Sequence, residues 1–204
     1  MLSIHHFDIS HSKPINLLTR KDISEITHNL LLGVVKNNNI DIDNIEFSEN
    51  FFGKPFIRNE ENFHFNISYS ENVIIIATGK NPLGIDIEKK QKLDNDFKEF
   101  FHISEQNIIL NSNNKYETLR YWTLKESYLK FLGLGLSKKL ESFYCLPIKG
   151  SSNFYSVTDL EYYNTKKITI KSFDSLSSFT FSICSQSEDF ENICIYIFVL
   201  KNEM

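Results

Sequence analysis

The chain has 204 residues, a length that suits one compact unit or two closely packed halves. With 41 % hydrophobic and 24 % charged residues, including 18 Phe and 9 Tyr, it is globular rather than disordered and has ample bulky material for a core. A net charge of −4 argues against a nucleic-acid binder, which needs a concentrated basic surface, but leaves room for a local basic pocket around a phosphorylated ligand.

Three cysteines, Cys145, Cys184 and Cys194, with no Cys-x-x-Cys, fit neither a disulfide framework nor a thiolate zinc site. Free thiols in a reducing compartment are the better reading. Residues 1–10 lack a basic region followed by an apolar core, so they do not read as a secretory leader. The longest apolar run, Ile193 to Leu200, has strand length and is far too short to span a membrane. The expected location is cytoplasmic.

In chain order, Asp22 to about Lys36 carries Leu30, Leu31, Val34 and Val35 at helical spacing, and Asn37-Asn38-Asn39 ends the run. Gly53-Lys54-Pro55 marks a loop or turn. Phe63 to Ser68 alternates as a strand, with Phe63, Phe65 and Ile67 on one face and His64, Asn66 and Ser68 on the other. Val73 to Ala77 is a second strand, and Ile85 to Glu88, after the Asn81-Pro82-Leu83-Gly84 turn, a third; a short meander is expected. Asp94 to Phe101 is a helix candidate. Ser104 caps another that ends near Leu110. The longest helix runs from Lys115 to Leu132 and stops at Gly133. Strands follow at Ser142 to Leu146, Phe154 to Val157, Lys167 to Phe173, Ser178 to Cys184 and Ile193 to Leu200. Helix first and strands after, in each half, suggests two α+β lobes meeting face to face.

Two segments carry candidate chemistry. In Gly84-Ile85-Asp86-Ile87-Glu88, strand alternation projects Asp86 and Glu88 from one face, about 7 Å apart. Such a pair can share one hard cation such as Mg²⁺, or stand as solvated acids on an edge strand. In Trp122-Thr123-Leu124-Lys125-Glu126-Ser127-Tyr128-Leu129-Lys130, residues 122, 126 and 130 form a stripe on one helix face. Its carboxylate and ammonium either hold a metal and a phosphate side by side or form an ordinary surface pair. Trp122 reads as a core anchor. The strand end Phe65-Asn66-Ile67-Ser68-Tyr69-Ser70 offers hydroxyls and amides to a phosphate, or is a plain strand-to-turn transition.

Asn66-Ile-Ser-Tyr-Ser70, Gly84-Ile-Asp-Ile-Glu-Lys89, Trp122-x-x-Lys-Glu-Ser-x-x-Lys130 and Gly133-x-Gly-Leu-Ser137, in this order, resemble the Sfp-type 4′-phosphopantetheinyl transferases. Gly53-Lys-Pro55 and Phe100-Phe101-x-x-Ser-Glu105 fit the same pattern, which runs from about residue 28 to about residue 143. The resemblance implies an α+β fold of two similar α/β lobes related by pseudo-two-fold symmetry, divided at 1–83 and 84–204, with the active site in the cleft between them. It implies a monomer that transfers the 4′-phosphopantetheine arm of coenzyme A to a serine of an acyl or peptidyl carrier protein. Carriers of secondary-metabolite and fatty-acid synthesis both stay open. It assigns Mg²⁺ to Asp86, Glu88 and Glu126, and coenzyme A contacts to Lys54, Pro55, Ser68, Tyr69 and Lys130. Asp86, Glu126 and Lys130 are the implied catalytic set. The general base stays open between Glu126 and a water on the metal.

Two positions depart from the family pattern. Tyr69 stands where the family usually has His, and a phenol donates a hydrogen bond without becoming cationic near neutral pH. Asn29 stands where the family often has an arginine directed at the nucleotide, with Arg20, Lys21 and His28 as nearby substitutes. These departures also admit an impaired member that only binds coenzyme A or a carrier. Lys89, Lys90 and Lys92 are candidates for steering an acidic carrier, or a solvated charge run.

Overall fold

The computed structural model describes all residues except 12–17, 92, 94, 160, 163–165, 175–177 and 202–204. It is mixed α/β, with three α-helices, short 3₁₀ turns and three sheets among the described residues. The first sheet has the order β11 (Ile193–Lys201), β1 (Leu2–His11), β5 (Val73–Gly79), β4 (His64–Ser70). The second runs β6 (Gly84–Lys89), β10 (Phe179–Gln186), β9 (Ile168–Phe173), β8 (Phe154–Asp159), β7 (Phe143–Pro147). A small hairpin joins β2 (Phe47–Glu49) to β3 (Pro55–Ile57).

Strand alternation sorts the core into layers. On β5, Val73, Ile75 and Ala77 meet Ile85, Ile87, Phe181 and Ile183 of the second sheet, so the two sheets pack face to face. The alternate residues Ile74 and Ile76, with Phe7, Ile9 and Phe65, turn to the other side. There they meet Leu31, Val34 and Val35 of α1 (Arg20–Asn37), which a Thr19/Asp22 capping box opens. The outer face of the second sheet carries α3 (Glu117–Leu132), whose Tyr121, Leu124, Tyr128 and Leu129 pack with Phe143, Ile170 and Cys184. The order of layers is therefore α1, first sheet, second sheet, α3.

Three expectations change. The meander does not form: β4 and β5 pair, but β6 leaves them to pair with β10 in the other sheet. Two faces of nearly continuous Ile on β5 hide this, because a strand buried on both sides shows no alternation. Residues 2–11, read only as lacking a leader, form a central strand whose polar members Ser3, His5 and His6 are buried beside Leu2, Ile4 and Phe7. The last strand, expected to follow the others of the second half, lies instead in the first sheet, parallel to β1.

The remaining helix is α2 (Ile103–Leu110), capped by His102 rather than Ser104; the His102 ring accepts from the Ser104 amide while Glu105 reaches back to the His102 amide. Residues 95–100 are a 3₁₀ turn rather than an α-helix, and Asp94 lies outside the described residues. Glu105 is fully buried against Lys125 of α3, at 2.7 Å, and accepts from the Cys145 amide. This pair fixes the residue next to Glu126 in sequence. Among the described residues no helix is long and apolar enough to cross a membrane.

Gly84 sets how closely α3 approaches the sheet. A Cβ there would lie 2.1 Å from the Ser127 carbonyl oxygen and 2.2 Å from the Phe131 nitrogen. Because both obstacles are helix backbone, Gly84→Ala is expected to destabilise by about 3 kcal/mol or more, at the upper end for overpacking. Urea unfolding followed by circular dichroism measures this; a variant within ~0.5 kcal/mol of the parent would contradict the close packing.

Candidate active site at the seam between the sheets

The edges of the two main sheets, β4 and β6, meet without forming a backbone ladder. Side chains of β4 serve the outward amides of β6 instead. The Ile85 amide donates to Asn66 Oδ1 (2.8 Å), the Ile87 amide to Ser68 Oγ (3.3 Å) and the Lys89 amide to Ser70 Oγ (3.0 Å). Both strands advance two residues per contact, so one polar face of β4 matches every second amide of β6. These are the residues read from the sequence as possible phosphate donors; here Asn66, Ser68 and Ser70 knit the sheets together.

The same hydroxyls carry the network to the carboxylates. Ser68 donates to Asp86 Oδ1 (3.0 Å) and Ser70 to Glu88 Oε2 (3.1 Å). From the α3 stripe, Lys130 Nζ donates to Asp86 Oδ1 (2.6 Å) and to Ser68 Oγ (2.9 Å). Trp122 Nε1 makes a long contact to Glu88 Oε1 (3.4 Å), and its ring lies edge-on to Phe97. Trp122 is thus half-buried and directed at the acidic strand as well as packed. Thr123 and Ser182 share a hydroxyl contact of 2.8 Å that ties α3 to β10 behind the site.

Glu126 completes the cluster. Burial first, and then the negative charges of Asp86 and Glu88, push its carboxyl up to about 7, with Lys130 opposing. Burial likewise raises Asp86, against the pull of Lys130 and Ser68, and raises Glu88, to which Asp86 adds. Asp86 Oδ2 and Glu126 Oε1 are buried with no hydrogen-bond partner among the described residues. Two unpartnered carboxylate oxygens among mutually repelling acids suit a hard cation, whose charge would relieve both costs. Among the described residues, however, no three His, Cys, Asp or Glu side chains are grouped as a metal-holding cluster in the present arrangement. The donor chemistry fits Mg²⁺; the cage is not preformed.

The structure thus gathers Ser68, Asp86, Glu88, Glu126 and Lys130. It takes Lys54 and Tyr69 elsewhere. Lys54 Nζ donates to the Leu83 and Phe131 carbonyls (2.9 and 3.3 Å), and burial lowers it to about 8. Beside it, Asn50 Nδ2 donates to the Gly133 carbonyl at 2.7 Å. The hairpin turn thereby satisfies carbonyls at the C-terminal end of α3, where a positive charge is also favoured by the helix dipole. Gly133 closes that end in the left-handed conformation, φ 70°.

Tyr69 follows Ser68 on the opposite face of β4 and is 52 % exposed. It lines a cavity of about 560 Å³ with Pro55, Ile67, Phe47, Arg20 and His28. Asn29 is exposed beside this region and is not among the lining residues. Of the three lysines considered for steering, Lys89 pairs with Glu71 at 2.7 Å, Lys90 donates to the Asp174 carbonyl, and Lys92 lies outside the described residues. The contribution of Phe47 to the cavity escaped the sequence reading, because a three-residue strand gives no periodic signal.

The model of the 4′-phosphopantetheinyl transferase superfamily matches residues 82–187, just over half of the chain. The chain belongs to this superfamily. The match spans the acidic strand and the whole of α3. Among curated relatives, the chain is 36 % identical over 110 residues to the 4′-phosphopantetheinyl transferase gsp of Aneurinibacillus migulanus, covering 52 % of this chain and 46 % of that protein. It is 36 % identical over 130 residues to the 4′-phosphopantetheinyl transferase Sfp of Bacillus subtilis, covering 58 % of each. The rat L-aminoadipate-semialdehyde dehydrogenase-phosphopantetheinyl transferase is 30 % identical over 129 residues, 53 % of this chain and 41 % of that protein. The chain spans about half the length of the curated relatives it matches.

The raised Glu126 carboxyl has a consequence for stability. The folded state holds this proton more tightly than the unfolded chain, whose carboxyl titrates near 4.5. Its contribution is therefore favourable below that value and is lost as pH rises through about 7. In metal-free buffer, Glu126→Gln should remove this component, so that the variant gains on the parent between the two values. Urea midpoints across that range measure it; parallel pH profiles would contradict the buried, charge-crowded setting.

Proposed function

We propose that this protein transfers the 4′-phosphopantetheine arm of coenzyme A to a serine hydroxyl of an apo carrier protein, releasing adenosine 3′,5′-bisphosphate, with Mg²⁺ as cofactor. The observation that carries the reading is the cluster of Asp86, Glu88, Glu126 and Lys130 at the sheet seam, with two buried carboxylate oxygens that have no partner among the described residues. Membership of the superfamily supports the same reaction class. The main sheets, each with one long helix on its outer face, are read as the two pseudo-two-fold lobes at 1–83 and 84–204, with the last strand exchanged into the first lobe. Cytoplasmic action suits a chain whose three cysteines are free.

In this proposal Asp86, Glu88 and Glu126 hold Mg²⁺, and Lys130 turns to the coenzyme A pyrophosphate. Bound Mg²⁺ would supply charge neutralisation on the pyrophosphate oxygens. The carrier serine gives up its proton as it attacks, with Glu126 or a water at the site as the acceptor. The serine oxygen forms a bond to the phosphorus attached to pantetheine as the bond to the bridging oxygen breaks. That bridging oxygen leaves on adenosine 3′,5′-bisphosphate, with Lys130 offsetting its charge. The Tyr69 cavity is assigned to the nucleotide end, where Arg20 and His28 supply positive charge and Tyr69 and Phe47 supply aromatic faces. Pro55 contributes to its wall, and Lys54 enters as the clamp that holds the Pro55 turn on α3.

The test is the intact mass of an apo carrier protein after incubation with the enzyme, coenzyme A and Mg²⁺. One phosphopantetheine should be gained per carrier, and chelation should stop the gain. Asp86→Ala and Lys130→Ala should each lower the rate by about 10²-fold or more while the fold is retained. Tyr69→His should keep or tighten coenzyme A affinity, measured by calorimetry. No gain of mass with any apo carrier, together with no thermal stabilisation by coenzyme A and Mg²⁺, would overturn the reading.

A further inference from the structure

The two serines of β4 at the seam make the same clip twice. Ser68 Oγ takes the Ile87 amide and donates to the carboxylate of the preceding residue, Asp86. Ser70 Oγ takes the Lys89 amide at 3.0 Å and donates to Glu88 Oε2 at 3.1 Å. A hydroxyl has one proton, so a serine whose oxygen accepts an amide directs that proton at whatever acceptor lies opposite. Each clip therefore sets a carboxylate relative to the strand that carries it.

The two carboxylates differ in what else holds them. Asp86 is buried, has the shorter side chain and is also gripped by Lys130. Glu88 is one carbon longer and only partly buried. Its hydrogen bonds come from Ser70 and, at 3.4 Å, from the Trp122 indole. A contact of that length is outside the usual range for an N–H donor, so Ser70 is the stronger restraint. Ser70 is itself well anchored. Besides its amide, Lys89 brings its ammonium to Glu71 at 2.7 Å, and Glu71 is the residue that turns β4 into β5, at φ 47°.

We infer that Ser70 is a positioning residue for the reaction: its hydroxyl fixes Glu88 Oε2, so that this carboxylate is presented beside Asp86 and Glu126 to the ion they share. The inference rests on the Mg²⁺ site of the proposed function and adds to it a residue that acts through Glu88 alone. A glutamate side chain loses much rotamer freedom when it is fixed on an ion, and the Ser70 clip removes part of that freedom before the ion arrives. Carboxylates that ligate metals are commonly held by such outer hydrogen bonds, and loss of one weakens metal binding by about 10–100-fold. The Ser70 clip is partly open to water, which places it at the lower end of that range.

Mn²⁺ binding to the full chain without coenzyme A, followed by the paramagnetic resonance signal of the free ion, tests it. Ser70→Ala should raise the Mn²⁺ dissociation constant about 10-fold, with a retained circular dichroism spectrum. Ser70→Thr, which keeps a hydroxyl on a residue suited to a strand, should restore most of the loss. In a Glu88→Gln background Ser70→Ala should cost nothing further, because the carboxylate it positions is gone; a seam merely loosened at the Lys89 amide would cost the same in both backgrounds. The Mg²⁺ concentration for half-maximal carrier modification should rise with the dissociation constant, while KM for coenzyme A stays at the parent value. A Ser70 that served a phosphate would raise that KM instead. Unchanged Mn²⁺ affinity in Ser70→Ala, no restoration by Ser70→Thr, or an equal loss in the Glu88→Gln background would each overturn the inference and leave the metal site standing. A parent that binds no Mn²⁺ would overturn the metal site itself, and the role of Ser70 with it.

Discussion

The seam between the main sheets depends on three polar side chains that do what a backbone ladder does elsewhere. Asn66, Ser68 and Ser70 each take an amide of β6, at a spacing that only two extended strands in fixed register satisfy. Each of those amides would otherwise be left unpaired at the junction, at a cost of about 1–3 kcal/mol where water is excluded. The same contacts fix the rotation of β6, so Asp86 and Glu88 turn toward α3 while Ile85 and Ile87 turn into the core between the sheets. Ser68 is engaged three times, by Ile87, Asp86 and Lys130. Structure and site are thus supported by one hydroxyl.

The helix side is held with comparable firmness. Gly84 brings the α3 backbone down onto β6, and the buried Lys125–Glu105 pair with its backbone contacts fixes the helix from behind. A buried ion pair contributes little net stability compared with well-packed apolar side chains, but loss of one partner is severe, so it favours a single arrangement. At the far end, Lys54 and Asn50 reach from the β2–β3 turn to the Phe131 and Gly133 carbonyls at the C-terminal end of α3. Glu126 and Lys130 therefore project from a helix fastened at three places. Their charges are crowded on a rigid frame, which is the condition under which a carboxyl is held near neutrality rather than relaxing away.

Much of this was legible in the sequence because it rests on periodicity. Phe63, Phe65 and Ile67 do face α1 while Asn66 and Ser68 face the second sheet. The stripe at residues 122, 126 and 130 does lie against the acidic strand. What stayed hidden was partnership. Strand β1 escaped the sequence reading because Ser3, His5 and His6 interrupt its apolar pattern, and burial of such polar side chains is decided by neighbours distant in sequence. The departure of β6 to the second sheet leaves no local trace, since pairing with β5 or β10 asks for the same alternation. The partners of Lys54 in Gly53-Lys54-Pro55 were hidden for a similar reason: a cation in a turn suits a phosphate or backbone carbonyls equally well, and the Leu83 and Phe131 carbonyls are distant in sequence.

The parallel pairing of Leu2–Asp8 with Ile193–Val199 also governs the order in which the molecule can be built. Strand β11 follows β1 in sequence only after every other strand of both sheets. Strands β6 to β10 and α3 are contiguous in sequence and can collapse first, whereas the first sheet must wait for nearly the whole chain. Long-range parallel pairing is slow to form, and β1 would meanwhile offer an open flank. The half that carries the acidic strand can therefore assemble ahead of the first sheet, whose β4 hydroxyls then reach Asp86 and Glu88.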